Sequence, residues 1–318
     1  MQLSTSPLFT VVVPCFAARD TVAIAIASVL AQSEPRFELI VVDDGSPDDS
    51  VAVATAAIGS DPRGRVLRQA NAGPAIARNL GAAAGSAGLV AFLDADDRWA
   101  PDLLRAHADH FELAPDLGIS FARTRFFDAE LNCRGRISAY RERLHLADVL
   151  AENPLCTTSN IVVRRELFAG IGGFDQEMRH AEDQEFVVRT LATTHWRVAG
   201  IDAELVHYRT SESGLSADLD AMEQGWSRML ERARRYTDTA AFTLAERRSR
   251  ALFERFLARR ALRTGQPARR ALGHLSRAFR IDAAALFDAE TVRTLMTVAG
   301  VAAALMLPRR LINPIISR

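Results

Sequence analysis

Residues 90–104, VAFLDADDRWAPDLL, combine an apolar run with a cluster of acidic residues. The first half of this stretch is typical of a buried strand, yet three carboxylates follow at once, those of Asp94, Asp96 and Asp97. Strand interiors exclude Asp because an unpaired buried carboxylate is strongly destabilising. We therefore expect the chain to leave its core here, with the three acidic side chains at a strand end.

The sequence before this stretch alternates short apolar strands with helices. Near-continuous Val and Ile residues occur in FTVVVP (9–14) and FELIVVDDGS (37–46), which a helical stretch at 19–31 separates. Such runs, without alternation of apolar and polar residues, are typical of strands buried on both faces of a parallel sheet. Pro74 suits the first position of another helix, whose many small residues allow close packing. The pattern predicts an α/β fold with a mostly parallel central sheet.

Two acidic clusters end neighbouring strands of this predicted sheet. Asp43 and Asp44 end the second strand, as Asp94 and Asp96 end the fourth. Ligands of open α/β sheets bind at the carboxyl ends of the strands, so both clusters are expected to face one crevice. Carboxylates together with phosphate oxygens suit Mn²⁺ or Mg²⁺. Either cluster alone is also explained as a turn or a helix cap, but the two together favour a cation and a diphosphate ligand.

Composition and charge exclude several classes of protein. The chain has 318 residues, 48% of them hydrophobic, and its 39 basic residues, all Arg, balance 39 acidic ones. The total charge gives no argument for nucleic-acid binding. The distribution is uneven, because residues 220–280 contain fifteen Arg and six acidic residues.

The cysteines and the first residues favour a reducing compartment. Cys15, Cys133 and Cys156 are odd in number and lack metal-ligand spacing, so neither a disulfide framework nor a zinc site is expected. The first fifteen residues have no basic segment before their apolar run and fit a first strand better than a signal peptide. A cytoplasmic protein, in contact with the inner face of the membrane or free of it, is expected.

Six motifs in order resemble the family-2 glycosyltransferases of the GT-A fold, over residues 9–216. They are VVVPCF, FELIVVDDGSPDDS, NAGPAIARNLGAAAG, FLDADD, GGFDQEM and AEDQEFVVR. The resemblance implies a GT-A nucleotide-binding fold and an inverting transferase that uses a nucleotide-sugar donor, with a preference for UDP. It also implies a glycan or lipid-linked acceptor and a role in cell-surface polysaccharide or glycoconjugate biosynthesis. The alternative is a non-catalytic nucleotide-sugar-binding or scaffold protein of the same fold.

The resemblance also implies roles for particular residues. Asp44 is expected to bond the nucleotide base, and Asp94 and Asp96 to flank the ribose and the metal-diphosphate. Phe16 belongs to the nucleotide pocket, and Arg78 is expected to reach a phosphate or the base, although it also fits a surface helix position.

Two positions depart from the family or from its processive members. Ala17 stands where the family commonly has Asn, which leaves one pocket contact in doubt. The Gln-x-x-Arg-Trp motif of processive members is absent, so transfer of one sugar per encounter is expected.

His207 is a candidate third metal ligand, although a lone His near a strand end is more often packed or solvated.

The resemblance also implies that Asp183 is the general base, although the acidic pattern alone is more typical of an ordinary first turn of a helix. A sugar hydroxyl is a poor nucleophile near neutral pH, so a carboxylate on the acceptor side must take its proton. Asp183 is predicted in the first turn of a helix, where the helix dipole favours its charged form, whereas Glu182 and Glu185 oppose its ionisation.

The C-terminal third, residues 217–318, is predicted to be a helical region that follows the transferase domain 1–216. The Arg-rich excursion at 132–151 shows no periodicity and is predicted to be an inserted or mobile segment. The apolar stretch at 295–307 is too short to span a bilayer. It either lies in the membrane interface, with Arg309 and Arg310 at anionic headgroups, or forms a buried C-terminal helix.

Overall fold

The computed structural model describes residues 6–127, 136–210, 218–237, 240–288 and 291–306. The chain divides into two compact units, one of Met1–His145 and Pro154–Thr210 and one of Leu146–Asn153 and Ser211–Arg318. The predicted boundary between residues 216 and 217 falls on residues outside the described ranges, so it stays a prediction.

The first unit is built on one mixed sheet of eight strands in its described residues. The strands are β1 (Phe9–Cys15), β2 (Phe37–Asp43), β3 (Gly64–Arg68), β4 (Leu89–Phe92), β5 (Arg98–Trp99), β6 (Leu117–Phe127), β7 (Val162–Arg164) and β8 (Arg197–Arg209). Their order in the sheet is β3-β2-β1-β4-β7-β6-β8-β5. Only β7 and β5 run antiparallel to their neighbours. The expected α/β fold with a mostly parallel sheet is confirmed.

The described helices cover the sheet in the first unit and form most of the second. They are α1 (Val22–Leu30), α2 (Ser50–Ile58), α3 (Pro74–Ala84), α4 (Leu103–Leu113), α5 (Leu146–Ala151), α6 (Arg165–Gly170), α7 (Glu182–Thr193), α8 (Leu219–Tyr236), α9 (Ala240–Arg263), α10 (Ala268–Asp288) and α11 (Thr291–Met306). A 3₁₀ turn at Thr158–Asn160 precedes β7. Helices α5 and α8 to α11 belong to the second unit.

Small residues bring α3 against the centre of the sheet. A Cβ atom added to Gly81 would lie 2.3 Å from a methyl group of Val12, and one added to Gly85 would lie 2.2 Å from Thr10. Helix α3 begins at Pro74, whose fixed φ and missing N–H suit a helix start. The close packing expected from the small residues of this helix is confirmed, and it places α3 beside the strand ends that carry the acidic residues.

The second unit has its own buried core. Trp226 of α8 stacks on Phe253 of α9 with ring centroids 4.2 Å apart, and the Trp226 indole donates to the Leu150 carbonyl. Arg255 of α9 is fully buried and donates to Glu152 at 3.0 Å. Residues 146–151, predicted to lie in an aperiodic excursion, form helix α5. Six residues are too few to show a helical period beside an Arg-rich stretch.

Helix α11 has one buried side and several exposed apolar side chains, so it shows a feature of each alternative for the apolar tail, the buried helix and the helix in the membrane interface. Thr294, Thr297, Gly300 and Val301 are buried in the second unit. Its large exposed apolar side chains are those of Val292, Leu295, Met296, Val298, Leu305 and Met306. Arg309 and Arg310 lie outside the described residues. Within the described ranges, each helix is too short or too polar to cross a bilayer.

Candidate active site

The acidic clusters meet at the carboxyl end of β1. Strands β2 and β4 pair with β1 from opposite sides, both parallel to it. The backbone N–H of Asp44 donates to Cys15 at 2.8 Å, and that of Leu93 donates to Val12 at 3.0 Å. Asp44 and Asp94, which directly follows Leu93, therefore flank the end of one central strand, as the sequence predicts.

Asp44 fastens the loop that leads into α3. Its carboxylate is buried and accepts three hydrogen bonds, from the Gln69 side chain at 2.7 Å and from the backbone N–H groups of Ala72 and Gly73 at 2.8 Å each. Gly73 has φ of +97°, which an L side chain rarely adopts. Asp44 thus fixes the loop at this edge of the sheet through its own contacts, and its bond to a nucleotide base stays a prediction.

Asp97 is the buried member of the Asp94–Asp97 cluster. It accepts hydrogen bonds from the Ser159 hydroxyl at 2.5 Å, the Thr157 hydroxyl at 3.3 Å and the Arg209 backbone N–H at 2.9 Å. Ser159 in turn accepts from the backbone N–H of Asp94 at 2.9 Å. Burial, with the nearby charges of Asp96 and Asp94, raises the pKa of Asp97 well above its usual value. Asp97 therefore fixes the loop that follows β4 through its hydrogen bonds to Thr157, Ser159 and Arg209.

Asp96 is the solvent-facing member of the same cluster. The protein groups around the Asp96 carboxylate reduce its hydration. This loss, together with the negative charge of Asp94, raises the pKa of Asp96 from 3.8 to about 6. Its backbone carbonyl accepts a hydrogen bond from the Arg209 side chain at 3.0 Å. The Asp94 side chain is 25% exposed. Both predicted metal-binding carboxylates are thus accessible at the same edge.

His207 lies near the end of β8, beside this loop. It pairs in register with Arg98, two residues after Asp96. Burial and the neighbouring charge of Arg98 lower the pKa of His207, which favours the neutral imidazole. No group of three His, Cys, Asp or Glu side chains is arranged to hold a metal ion in the residues that the structure describes. A role of His207 as third ligand stays a prediction.

Arg78 is buried between the loop that follows β4 and the start of α7. Its side chain on α3 donates to Asp94 at 2.6 Å and to Glu182, the first residue of α7, at 2.7 Å. Only 4% of Arg78 is exposed. Burial disfavours the charged guanidinium, but Asp94 and Glu182 outweigh this effect and raise the pKa of Arg78. Direct contact of Arg78 with a nucleotide stays a prediction.

The segment that leads to α7 is held by side chains on both sides. Asn79 donates to the Phe174 carbonyl at 2.8 Å and accepts from the Phe174 N–H at 2.9 Å. Arg189 donates to the carbonyls of Ile171 and Gly173 and pairs with Glu185 at 2.9 Å. Four aromatic rings pack against one another at this segment, those of Phe92, Phe168, Phe174 and Phe186. The GGFDQEM motif thus forms a fixed support for α7.

Asp183 lies in the first turn of α7, as predicted. This turn also contains Glu182 and Glu185. Each of these two carboxylates has an Arg partner, Arg78 for Glu182 and Arg189 for Glu185. The two carboxylates that were expected to oppose ionisation of Asp183 are thus each paired with an Arg.

Three residues with left-handed backbone conformation surround the site. They are Ala17 (φ 49°), Cys156 (φ 70°) and Ala181 (φ 59°), which follow β1, precede the 3₁₀ turn and precede α7, respectively. Phe16, beside Ala17, is 50% exposed at the end of β1. Non-glycine residues in this conformation are uncommon and cluster at functional sites. Their positions agree with the site chosen from the acidic motifs.

The sequence did not reveal the supporting residues Thr157, Ser159, Asn79 and Arg189. TTSN at 157–160 is a polar run directly before a strand, a signal that was available, but its partner Asp97 is about sixty positions away. Asn79 and Arg189 stand in helices, where nothing local distinguishes them from surface residues.

Comparison with known proteins identifies the family. The description "Glycosyl transferase family 2" matches residues 10–172, just over half of the chain. The chain belongs to this family and is a glycosyltransferase, which confirms the resemblance carried by the six motifs.

One curated relative and two solved structures extend the comparison. The succinoglycan biosynthesis protein ExoU of Rhizobium meliloti is 48% identical over 88 residues, 27% of this chain and 25% of ExoU. The structure of S. aureus TarS 1-349 in complex with UDP-GlcNAc aligns with a TM-score of 0.56 and 19% identity, over 89% of this chain and 91% of the TarS 1-349 chain. The mannosyltransferase PcManGT from Pyrobaculum calidifontis, in complex with GDP-Man and Mn²⁺, aligns with a TM-score of 0.63 and 18% identity, over 98% and 84% of the two chains. These structural likenesses establish the fold.

Proposed function

We propose that this glycosyltransferase moves one sugar per encounter from a nucleotide-sugar donor to a hydroxyl group of a glycan or lipid-linked acceptor, with inversion at the anomeric carbon. A UDP-linked donor is proposed because the family that the six motifs resemble prefers UDP and because TarS binds UDP-GlcNAc. A role in cell-surface polysaccharide or glycoconjugate biosynthesis is supported by the similarity to ExoU.

The observation that carries this proposal is the convergence of three elements on one sheet edge. The carboxylates after β2 and β4 flank the end of β1, and Arg78 joins Asp94 to the first turn of the helix that carries Asp183. Arg78 thus links Asp94, for which a donor-side role is proposed, to Glu182, the neighbour of the proposed base Asp183.

The residues at this edge fit a divalent cation. Asp94 and Asp96 offer accessible, hard oxygen donors, and Mg²⁺ or Mn²⁺ usually takes one or two carboxylates and completes its shell with water and substrate phosphates. His207, with its lowered pKa, offers a neutral nitrogen that suits Mn²⁺ better than Mg²⁺. When bound, the cation would stabilise the negative charge of the leaving diphosphate. PcManGT, a protein of this fold, binds Mn²⁺.

The chain's own residues perform the remaining steps in this proposal. Phe16 and Asp44 bind the nucleoside, and Asp94 orients the ribose and diphosphate. Asp183 accepts the proton of the acceptor hydroxyl as the oxygen attacks the anomeric carbon opposite the diphosphate. Attack from that side inverts the configuration.

A donor screen tests the proposal. The full chain is mixed with a panel of UDP- and GDP-linked sugars, with and without Mn²⁺, and its thermal unfolding is followed. A true donor at one hundred times its Kd should stabilise the fold by about 2.7 kcal/mol. Asp96→Asn should abolish the Mn²⁺-dependent part without loss of the fold. A panel that leaves the unfolding temperature unchanged contradicts the proposal.

We also propose that α11 contacts an anionic membrane, where a lipid-linked acceptor would lie. The apolar side chains Leu295 and Met296 are exposed on α11. The preceding helices contribute the Arg excess of residues 220–280, which complements anionic headgroups.

Flotation with liposomes tests the membrane contact. Leu295→Ser/Met296→Ser should lose binding to phosphatidylglycerol vesicles at low salt, whereas Leu244→Ser, at a more exposed site on α9, should retain it. Salt should weaken the binding, because exposed charges are screened beyond about 8 Å at physiological ionic strength. A full chain that does not float with these vesicles contradicts the proposal.

A further inference from the structure

Arg78 connects two parts of the site that are far apart in sequence. It lies 16 residues before Asp94 and 104 residues before Glu182, yet it donates to both carboxylates. Asp94 stands at the donor side of the crevice, and Glu182 begins the helix that carries Asp183. One buried cation therefore bridges the loop after β4 and the first turn of α7.

The start of α7 lacks an ordinary cap. Its N-cap residue is Ala181, which has a left-handed backbone with φ of 59° and supplies no side-chain hydrogen bond. The first N–H groups of a helix need acceptors, and Ala cannot provide one. The Asp183 carboxylate accepts from one of them, the Gln184 N–H, at 2.7 Å. The ion pair of Arg78 with Glu182 fixes the first residue of the helix directly. Asn79, the next residue of α3, fixes the preceding segment at Phe174.

We propose that Arg78 is a positioning residue for sugar transfer, which acts through Asp94 and Glu182 to set the first turn of α7, and with it Asp183, at a fixed place relative to the donor. This inference rests on the proposed function. Guanidinium suits the task because its planar, permanently charged fork can bond two carboxylates at once, which an ammonium group does less well.

A different role for Arg78, direct contact with the donor, makes opposite kinetic predictions. If Arg78 binds the donor, loss of Arg78 should raise the donor KM. Loss of Glu182, which would compete with the donor for the Arg78 side chain, should then leave kcat unchanged. If Arg78 acts by positioning, loss of Glu182 should lower kcat and leave the donor KM nearly unchanged, because misplacement of a reacting group by about 1 Å can reduce the rate by about 100-fold.

A double-mutant cycle measures this difference. Glu182→Met should lower kcat about tenfold with the donor KM within about twofold, and Arg78→Met should lower kcat about 100-fold. Arg78→Lys keeps the charge and should fall between wild type and Arg78→Met. The double variant should be no slower than Arg78→Met alone, because the two side chains act through one contact.

Two results overturn the inference. One is an unchanged kcat in Glu182→Met. The other is a double variant slowed by the product of the single effects, about 1000-fold, since this would give Glu182 a role independent of Arg78. Arg78→Met leaves two carboxylates uncompensated and can fail to fold. In that case Glu182→Met and Arg78→Lys still decide the question.

Arg255→Met is the matched control. Arg255 is also a fully buried Arg with a carboxylate partner, Glu152, but it lies in the second unit. It should lower the unfolding temperature while kcat and the donor KM of the folded enzyme stay at wild-type values. A fall in kcat equal to that of Arg78→Met would mean that loss of stability alone explains both, and would overturn the inference.

Amide hydrogen exchange separates this inference from the proposed function. If the wild-type chain transfers no sugar from any donor tested, the proposed function fails, but the geometry at α7 is still measurable. The Glu185 N–H, which donates to Ala181 at 2.9 Å, closes the first turn of α7. In Glu182→Met it should exchange at least tenfold faster, with unchanged exchange in α2. Unaltered exchange at Glu185 overturns the positioning role whatever the activity.

Discussion

Replacement of Asp44 by Asn tests whether this residue holds the protein together as well as facing the crevice. The Asp44 carboxylate is buried and accepts from Gln69, Ala72 and Gly73, with both oxygens in use. An Asn side chain has one acceptor oxygen, so its NH₂ group must face at least one of these donors. One unsatisfied buried donor costs about 1–3 kcal/mol, and the remaining bonds lose the strength that the charge gives them. Together we expect Asp44→Asn to lower the free energy of unfolding by about 2–5 kcal/mol.

Asp43→Asn is the control for this prediction. Asp43 is equally buried but accepts one backbone bond, from Ser46 at 3.2 Å, and its other oxygen has no hydrogen-bond partner. Its ion-pair partner Arg68 is largely exposed and can be hydrated. Neutralising Asp43 should therefore change the unfolding free energy by less than about 1 kcal/mol. Urea unfolding of both variants gives the comparison. A cost below about 1 kcal/mol for Asp44→Asn, or equal costs for the two, would refute the structural role of Asp44.

Three further predictions concern the fold around the site. Gly81→Ala should destabilise the fold by about 1–3 kcal/mol, since the added Cβ would lie 2.3 Å from Val12. Gly170→Ala, where the added Cβ meets open space, should not destabilise it. Equal unfolding free energies of the two variants would contradict the packing of α3. Burial lowers the pKa of His107 from 6.5 to about 3, so between these values the unfolded chain binds a proton that the folded chain does not, and stability should fall with acid. His107→Leu should flatten this dependence by up to about 1.4 kcal/mol per pH unit in denaturant titrations, and parallel curves would argue against it. Ala17→Asn should stabilise by about 0.5–1 kcal/mol, because Asn tolerates the left-handed backbone found there; a loss of stability would count against this reading.

The sequence predicted the elements whose causes are local. Runs of Val and Ile produce strands buried on both faces, and carboxylates cannot follow into the core, so the ends of β2 and β4 could be placed to within a few residues. The N-terminus of α3 at Pro74 and the acidic first turn of α7 likewise depend on neighbouring residues alone.

Features that depend on distant partners could not be predicted. Ser46 followed by Pro47 is typical of a helix start, but α2 begins at Ser50, and the Ser46 hydroxyl instead accepts from the Ala17 N–H of the loop after β1. Strand β5 has two residues and exists through its pairing with β8. The burial of Arg78 follows from carboxylates 16 and 104 positions away, which nothing in the ARN sequence indicates.

The most direct test of the central claim is the activity of Asp183→Asn. The variant should bind the nucleotide-sugar donor as tightly as wild type in a calorimetric titration, because the carboxylates after β2 and β4 that are proposed to bind the donor are untouched. Its rate of sugar transfer to a verified acceptor should fall by about 10² to 10⁴, the contribution expected of a general base. Undiminished transfer by Asp183→Asn would contradict the account, because the proton of the acceptor hydroxyl would then go to another group.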